Sequence, residues 1–145
     1  MTSSHTVLIV EGSPYVRDSL AGLLGGIPGV TVVGRAGNAA RGWQLFQECP
    51  PTVVLLDVEL PEMSGLHLLG QIRQEAATCL VIALSRDVFP ALRKQCEGLG
   101  ADHLLDKARE FAELPRLLNQ PRTGRLAPKA GRSQVAAPLP AQVSI

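Results

Sequence analysis

Four polar residues of this chain stand where they could carry out phosphoryl chemistry. Asp57 ends the apolar run 53–56, and a fully apolar run is typical of a strand buried on both faces of a parallel sheet. Ligands and chemistry in open α/β sheets collect just beyond the carboxyl ends of such strands. A carboxylate there can act as a nucleophile, while a hydroxyl and an ammonium can hold the oxygens of a transferred group. Three further apolar runs are followed by candidate partners for Asp57, namely Glu11, Ser85 and Lys107.

The elements that must position these residues alternate along the chain. Ser13 followed by Pro14, and later Asn38, are typical helix-start residues. Alternating strands and helices predict an α/β fold with a parallel sheet covered on both faces. The predicted strands are residues 7–10, 30–33, 52–57, 80–84 and 103–105, and the predicted helices span about 14–24, 39–49, 64–76, 90–99 and 111–118.

Composition and charge divide the chain into two parts. Apolar residues make up 46% of the 145 residues and aromatic residues only 3%, which predicts one domain with an aliphatic core. Residues 1–120 hold 10 basic and 13 acidic side chains, a net charge of −3, whereas residues 121–145 hold four basic side chains and no acid. The second part is rich in proline and alanine, so we predict a domain at 1–120 and a disordered basic tail at 121–145.

The totals also bound the compartment and the partners. Three cysteines without a C-x-x-C spacing indicate reduced thiols rather than a disulfide framework. No signal peptide and no apolar run of ~18 residues is found, which predicts a cytoplasmic location without a membrane partner. The net charge of +1 gives no reason to expect a nucleic acid as an obligatory partner.

Four segments in the right order give the chain a family resemblance over about residues 6–119. They are Val10-Glu11-Gly12-Ser13-Pro14, Leu55-Leu56-Asp57 with Pro61 and Gly65, Ala83-Leu84-Ser85, and Gly100-Ala101-Asp102 ahead of Lys107. With these segments the sequence resembles a response-regulator receiver domain of two-component signalling. The resemblance implies a flavodoxin-like, doubly wound sheet of five parallel strands in the order 2-1-3-4-5. It also implies that Asp57 accepts a phosphoryl group, that Ser85 and Lys107 assist, and that Mg²⁺ is held by Glu11, Asp57 and the backbone carbonyl of Glu59.

Two of the departures from the family pattern bear directly on the metal and on Asp57. Gly12 stands where the family usually carries a second acid that touches the metal, so we predict that Mg²⁺ binding is weak or absent. Either Glu11 or Glu59 would have to turn toward the ion to replace the lost ligand. Arg86 follows Ser85, where the family prefers a small residue. Its guanidinium has three alternatives: to cover Asp57, to pair with phosphoryl oxygens, or to extend into solvent.

The resemblance predicts a signalling module rather than an enzyme. We expect a stand-alone receiver that acts in a phosphorelay, with a histidine kinase or a phosphotransfer protein as the donor. Its signal would reach a downstream protein through a surface at about residues 88–119, and homodimer formation is left open.

Three alternatives compete with this prediction. A pseudo-receiver would be recognised by its partner without phosphorylation. A phosphohydrolase of the haloacid-dehalogenase type would use Asp57 as nucleophile with Glu59 as the second acid, although two strand–helix units precede this motif. A truncated transcription factor is disfavoured, because residues 121–145 are too few and too polar to form a helix-turn-helix.

Overall fold

A computed structural model of the protein describes residues 4–119. The strands are β1 (His5–Val10), β2 (Val30–Ala36), β3 (Val53–Asp57), β4 (Leu80–Ser85) and β5 (His103–Asp106). The helices are α1 (Pro14–Gly25), α2 (Ala39–Glu48), α3 (Ser64–Glu75), α4 (Pro90–Leu99) and α5 (Leu114–Asn119), with single 3-10 turns at Pro61–Met63 and Phe111–Glu113. The tail predicted at 121–145 lies outside the described residues.

All neighbouring strands are parallel and their order is β2-β1-β3-β4-β5, as the family resemblance implies. The central strand β3 explains the apolar run in the sequence, because residues 53–56 are fully buried. Val54 and Leu56 pack with α2, α3 and α4 on one face of the sheet. Val53 and Leu55 pack with α1 and α5 on the other face. The sheet is therefore covered on both sides, and its polar residues gather at the strand ends.

Local capping agrees with the sequence prediction at two helices. The Ser13 hydroxyl accepts a hydrogen bond from the Val16 N–H (3.3 Å) ahead of α1, and Pro14 is the first residue of that helix. The Asn38 side chain accepts one from the Arg41 N–H (2.8 Å) ahead of α2. These bonds satisfy main-chain donors that a helix leaves free at its first turn.

Two predicted elements differ most from the structure. Strand β2 was expected to end at residue 33 but continues to Ala36, because the register shifts between Val7 and Leu8 of β1 and pairing resumes at Gly34. The fifth helix was expected over 111–118 but is split into a 3-10 turn and the short helix α5. Pro115 lies in the first turn of α5, where its missing N–H has no partner to lose.

None of the helices formed by residues 4–119 combines the length and the apolarity that a bilayer crossing requires.

Candidate functional site

Three charged side chains meet at the carboxyl edge of the sheet. Asp57 ends β3, Glu11 follows β1, and Lys107 follows β5. The Lys107 Nζ lies 3.0 Å from Glu11 Oε1 and 3.2 Å from Asp57 Oδ1. Both carboxylate residues are buried, with exposed fractions of 1% and 4%. One ammonium therefore stands between two carboxylates, and the cluster carries one net negative charge.

Main-chain donors hold the Asp57 carboxylate in place. The Glu59 N–H donates to Oδ1 (2.8 Å) and the Gly12 N–H donates to Oδ2 (3.3 Å). Each of these bonds is charge-assisted, which makes it stronger than a bond between neutral groups. The two loops that follow β1 and β3 thus fix the orientation of this side chain before any reaction.

The loop after β1 is held by a residue that the sequence analysis did not identify. The Arg17 guanidinium donates from Nη1 to the Glu11 carbonyl (2.7 Å), and the Ser13 N–H donates to Glu11 Oε2 (3.0 Å). A basic residue in the first turn of a helix is disfavoured by the helix dipole. That unfavourable position was the only sequence signal that Arg17 has a specific partner.

Ser85 lies beside the charged cluster, but its hydroxyl is engaged elsewhere. The side chain is fully buried at the end of β4. Its Oγ donates to the Asp87 carbonyl (3.0 Å) and accepts from the Asp87 N–H (3.1 Å). The Lys107 N–H donates to the Ser85 carbonyl (2.9 Å) and ties the end of β5 to β4. The structure therefore brings Glu11, Asp57 and Lys107 together. The Ser85 hydroxyl instead bonds to the main chain of the loop that follows β4.

Glu59 and Arg86 contact each other at the mouth of the site. Glu59 Oε1 accepts from the Arg86 N–H (2.9 Å) and lies 3.4 Å from Arg86 Nε. The Arg86 side chain is 80% exposed. Of the three alternatives for Arg86, the structure shows the one that extends into solvent. The Glu59 carboxylate is turned toward Arg86 rather than toward the cluster.

Gly65 allows α3 to begin directly against the end of β3. A Cβ at this position would overlap the Asp57 carbonyl oxygen and would lie 2.7 Å from Val58 Cα. A side chain here would force the main chain after Asp57 to move. The glycine thus contributes to the placement of Asp57 and of the Glu59 N–H.

Glu11 and Asp57, the two acids that the family resemblance implies for Mg²⁺, lie in one cluster with the Lys107 ammonium between them. Within residues 4–119, no group of three histidine, cysteine or acidic side chains is arranged to hold a metal ion. A Cβ at Gly12 would lie 3.5 Å from Asp57 Oδ2 and 3.4 Å from Leu60 Cδ2, both ordinary contacts. The position beside Asp57 therefore has room for the start of a side chain that the sequence does not supply.

Comparison with known proteins agrees with this geometry. The family profile described as "Response regulator receiver domain" matches residues 7–119. The chain is 31% identical over 126 residues to the nitrate/nitrite response regulator protein NarL of Escherichia coli K12, covering 83% of this chain and 56% of the relative. It is 31% identical over 148 residues to a protein-glutamate methylesterase/protein-glutamine glutaminase of Desulfitobacterium hafniense, covering 92% and 38% respectively. The chain thus spans only about half, or less, of the length of these relatives.

Solved structures show the same fold. The signal receiver domain of the putative response regulator NarL from Mycobacterium tuberculosis superposes with a TM-score of 0.71 at 25% identity, covering 80% of this chain and 94% of that chain. A DNA-binding response regulator of the LuxR family from Staphylococcus aureus gives a TM-score of 0.71 at 26% identity, covering 82% and 97%. With the profile matched across five strands and five helices, this chain belongs to the family of response regulator receiver domains, which are signalling domains rather than enzymes.

Proposed function

We propose that Asp57 accepts a phosphoryl group and that the modified domain signals through contacts with another protein. Receiver domains interact with histidine kinases or phosphotransfer proteins, and such a protein is the donor in this proposal. The observation that carries it is the 3.2 Å approach of the Lys107 ammonium to the buried Asp57 carboxylate. Two main-chain N–H groups already hold that carboxylate, so the acceptor needs little reorganisation before it reacts.

The chemical step balances without a further reactant. An Asp57 oxygen attacks the phosphorus of a phosphohistidine, the P–N bond breaks, and its electron pair returns to the imidazole nitrogen. Lys107 compensates part of the negative charge that accumulates, because its ammonium already contacts the acceptor. Ser85, one strand away, would supply a hydroxyl once its bonds to Asp87 are exchanged for bonds to the phosphoryl oxygens.

Weak or absent Mg²⁺ binding is part of the same proposal. Glu11 and Asp57 supply two carboxylates, but the Lys107 ammonium stands between them. Gly12 contributes no oxygen from a side chain. Mg²⁺ is usually bound in proteins by one or two carboxylates plus water, so the loss of one direct ligand should weaken binding at least ~10–100-fold.

The surface at residues 88–119 is the proposed contact for a downstream protein. It comprises α4, β5 and α5, and it begins next to the loop that follows Ser85. Phe89 at the start of α4 is 47% exposed, an apolar side chain that a protein partner could cover. Action without an attached output domain stays a prediction, and so does homodimer formation.

Recognition without phosphorylation is the second candidate function. It is favoured by the pairing of Lys107 with both carboxylates, since the ammonium balances charge in the unmodified site without a metal ion. In that case the partner would bind the protein equally well whether or not position 57 can be modified.

Acetyl phosphate treatment followed by mass spectrometry separates the two candidates. The proposal predicts a mass increase of one phosphoryl group located at Asp57, absent in Asp57→Asn and retained in the control Asp87→Asn. A protein that stays unlabelled at ~10 mM Mg²⁺, even as the Gly12→Asp variant, would exclude phosphorylation and leave the second candidate.

A further inference from the structure

Glu59 connects the acceptor to the loop that follows β4. Its main-chain N–H donates to Asp57 Oδ1 (2.8 Å), while its side-chain Oε1 accepts from the main-chain N–H of Arg86 (2.9 Å). One residue therefore holds the acceptor with its backbone and the neighbouring loop with its carboxylate.

Two polar hydrogens at the end of β4 are occupied in this arrangement. The Arg86 N–H is bound by Glu59, and the Ser85 hydroxyl donates to the Asp87 carbonyl. The Arg86 guanidinium also faces Glu59, with Nε 3.4 Å from Oε1. This second contact is weak because the Arg86 side chain is largely in solvent. The hydrogen bond from the Arg86 main chain is the defined link.

A phosphoryl group on Asp57 would be a further acceptor for these same donors. It brings three acceptor oxygens and replaces the single charge of the Asp57 carboxylate with about −1.5 to −2, beside one ammonium and the Glu11 carboxylate. Leu84 of β4 is the register partner of Asp57, so the Ser85 hydroxyl and the Arg86 N–H come directly after it on the neighbouring strand. The Glu59 carboxylate would compete with the phosphoryl group for the Arg86 N–H, because both are negatively charged acceptors.

We infer that the Glu59 carboxylate is a built-in competitor that opposes phosphorylation of Asp57 by holding the Arg86 N–H. The inference rests on the proposed function and specifies how the same site is regulated. Glu59 must release Arg86 before the loop can turn its donors toward Asp57. Glu59 is thus a positioning residue, and it controls how readily the domain is modified without itself taking part in the transfer.

The test compares variants that remove both the hydrogen-bond acceptor and its charge, variants that remove the charge alone, and controls that remove neither from Glu59. Glu59→Ala removes both the acceptor and its charge, whereas Glu59→Gln keeps a neutral acceptor. Glu62→Ala and Glu62→Gln are the matched controls, since Glu62 is an exposed acid of the same loop. The rate of acetyl phosphate labelling at Asp57 should rise about tenfold in Glu59→Ala, the worth of one charge-assisted hydrogen bond. It should rise less in Glu59→Gln and stay within about twofold in both controls, where no such bond is lost.

A second measurement reports the bond directly. Hydrogen exchange of the Arg86 amide should be faster in Glu59→Ala than in the wild type and unchanged in Glu62→Ala. A merely structural role would leave this one amide no more affected than its neighbours, and would lower the labelling rate rather than raise it.

The outcomes separate this inference from the proposed function. Labelling at equal rates in the wild type, Glu59→Ala and Glu62→Ala overturns the inference and leaves Asp57 as the phosphoacceptor. Labelling that appears only after Glu59 is replaced supports both. No labelling in any variant, including Gly12→Asp, overturns the proposed function and the inference with it.

Discussion

Restoring an acid at position 12 is the perturbation that tests the charge arrangement of the site. In Gly12→Asp, the new Cβ would sit 3.5 Å from Asp57 Oδ2 without a steric clash. Its carboxylate would lie at ~5 Å from that of Asp57, and two like charges at this distance repel by about 3 kcal/mol at an effective dielectric constant of ~20. Because position 12 is exposed, screening reduces the cost to about 1–2 kcal/mol. Without Mg²⁺, the melting temperature should therefore fall by about 4–8 °C.

Mg²⁺ should reverse this loss in the variant and do little for the wild type. With a dissociation constant of ~1 mM and ~10 mM Mg²⁺, binding stabilises the folded variant by about 1.4 kcal/mol, a rise in melting temperature of about 6 °C. Affinity that is ~10-fold weaker in the wild type gives about 0.4 kcal/mol and about 2 °C. Thermal unfolding followed by circular dichroism, with EDTA or Mg²⁺, measures both shifts.

Gly12→Asn is the control, because it has nearly the same shape without the charge. It should show neither the loss of stability in EDTA nor the larger gain with Mg²⁺. Labelling of Asp57 should follow the same logic: in EDTA the wild type should react faster than Gly12→Asp, and in Mg²⁺ the order should reverse. Equal Mg²⁺ shifts in the wild type and Gly12→Asp would refute the reasoning, since the glycine would then not limit binding of the ion.

Three further predictions concern other parts of the fold. Arg73 pairs with Asp102, and both side chains are largely buried, so Arg73→Met should lower the free energy of unfolding in guanidinium by about 3–5 kcal/mol. Arg116 pairs with Glu113 at the surface, so Arg116→Met should lower it by less than ~1 kcal/mol. Similar losses in the two variants would contradict the difference in burial. Gly65→Ala should lower the free energy of unfolding by about 1–3 kcal/mol and slow the labelling of Asp57. A variant that keeps the wild-type labelling rate would show that the close approach of α3 to the end of β3 is not needed. Burial raises the pKa of Cys96 to about 11, so iodoacetamide at pH 8 should modify only the exposed Cys49 in the folded protein. Since the unfolded thiol ionises at a lower pH, the free energy of unfolding should fall as the pH rises from about 9 toward 11, and a flat profile would contradict the raised value.

The sequence predicted the sheet and the charged cluster for the same physical reason. The strand β3 is buried on both faces, so its apolar run is unmistakable and its end falls at Asp57. In a parallel sheet the carboxyl ends of all strands lie at one edge, and the strand order that the family resemblance implies sets β1 beside β3 and β5 two strands away, so we expected the residues after β1 and β5 near Asp57. This argument is independent of side-chain detail, and it placed Glu11 and Lys107 correctly at the same edge.

Irregular backbone was less predictable because distant contacts decide it. Glu62 and Met63 both adopt left-handed conformations, with φ of 59° and 60°, although neither is a glycine. Such conformations cost about 1–2 kcal/mol per residue, and no local sequence pattern favours them here. They lie immediately before α3, which Gly65 allows to start against the end of β3. The constraint comes from that close approach, which appears only once the strand and the helix are packed.

The direction of polar side chains was the other feature that the sequence left open, and here it changes the chemistry. Gly12 stands where the family pattern has a carboxylate in the inner part of the pocket, and Glu59 carries a carboxylate at its mouth. A count of acids would treat these two changes as compensating. In the structure they do not compensate, because the Glu59 carboxylate binds the Arg86 N–H and not the space beside Asp57. In the proposed function, the lost acid would weaken the attraction for a cation and Glu59 would occupy a donor that a phosphoryl group can use, so we expect both changes to favour the unmodified state.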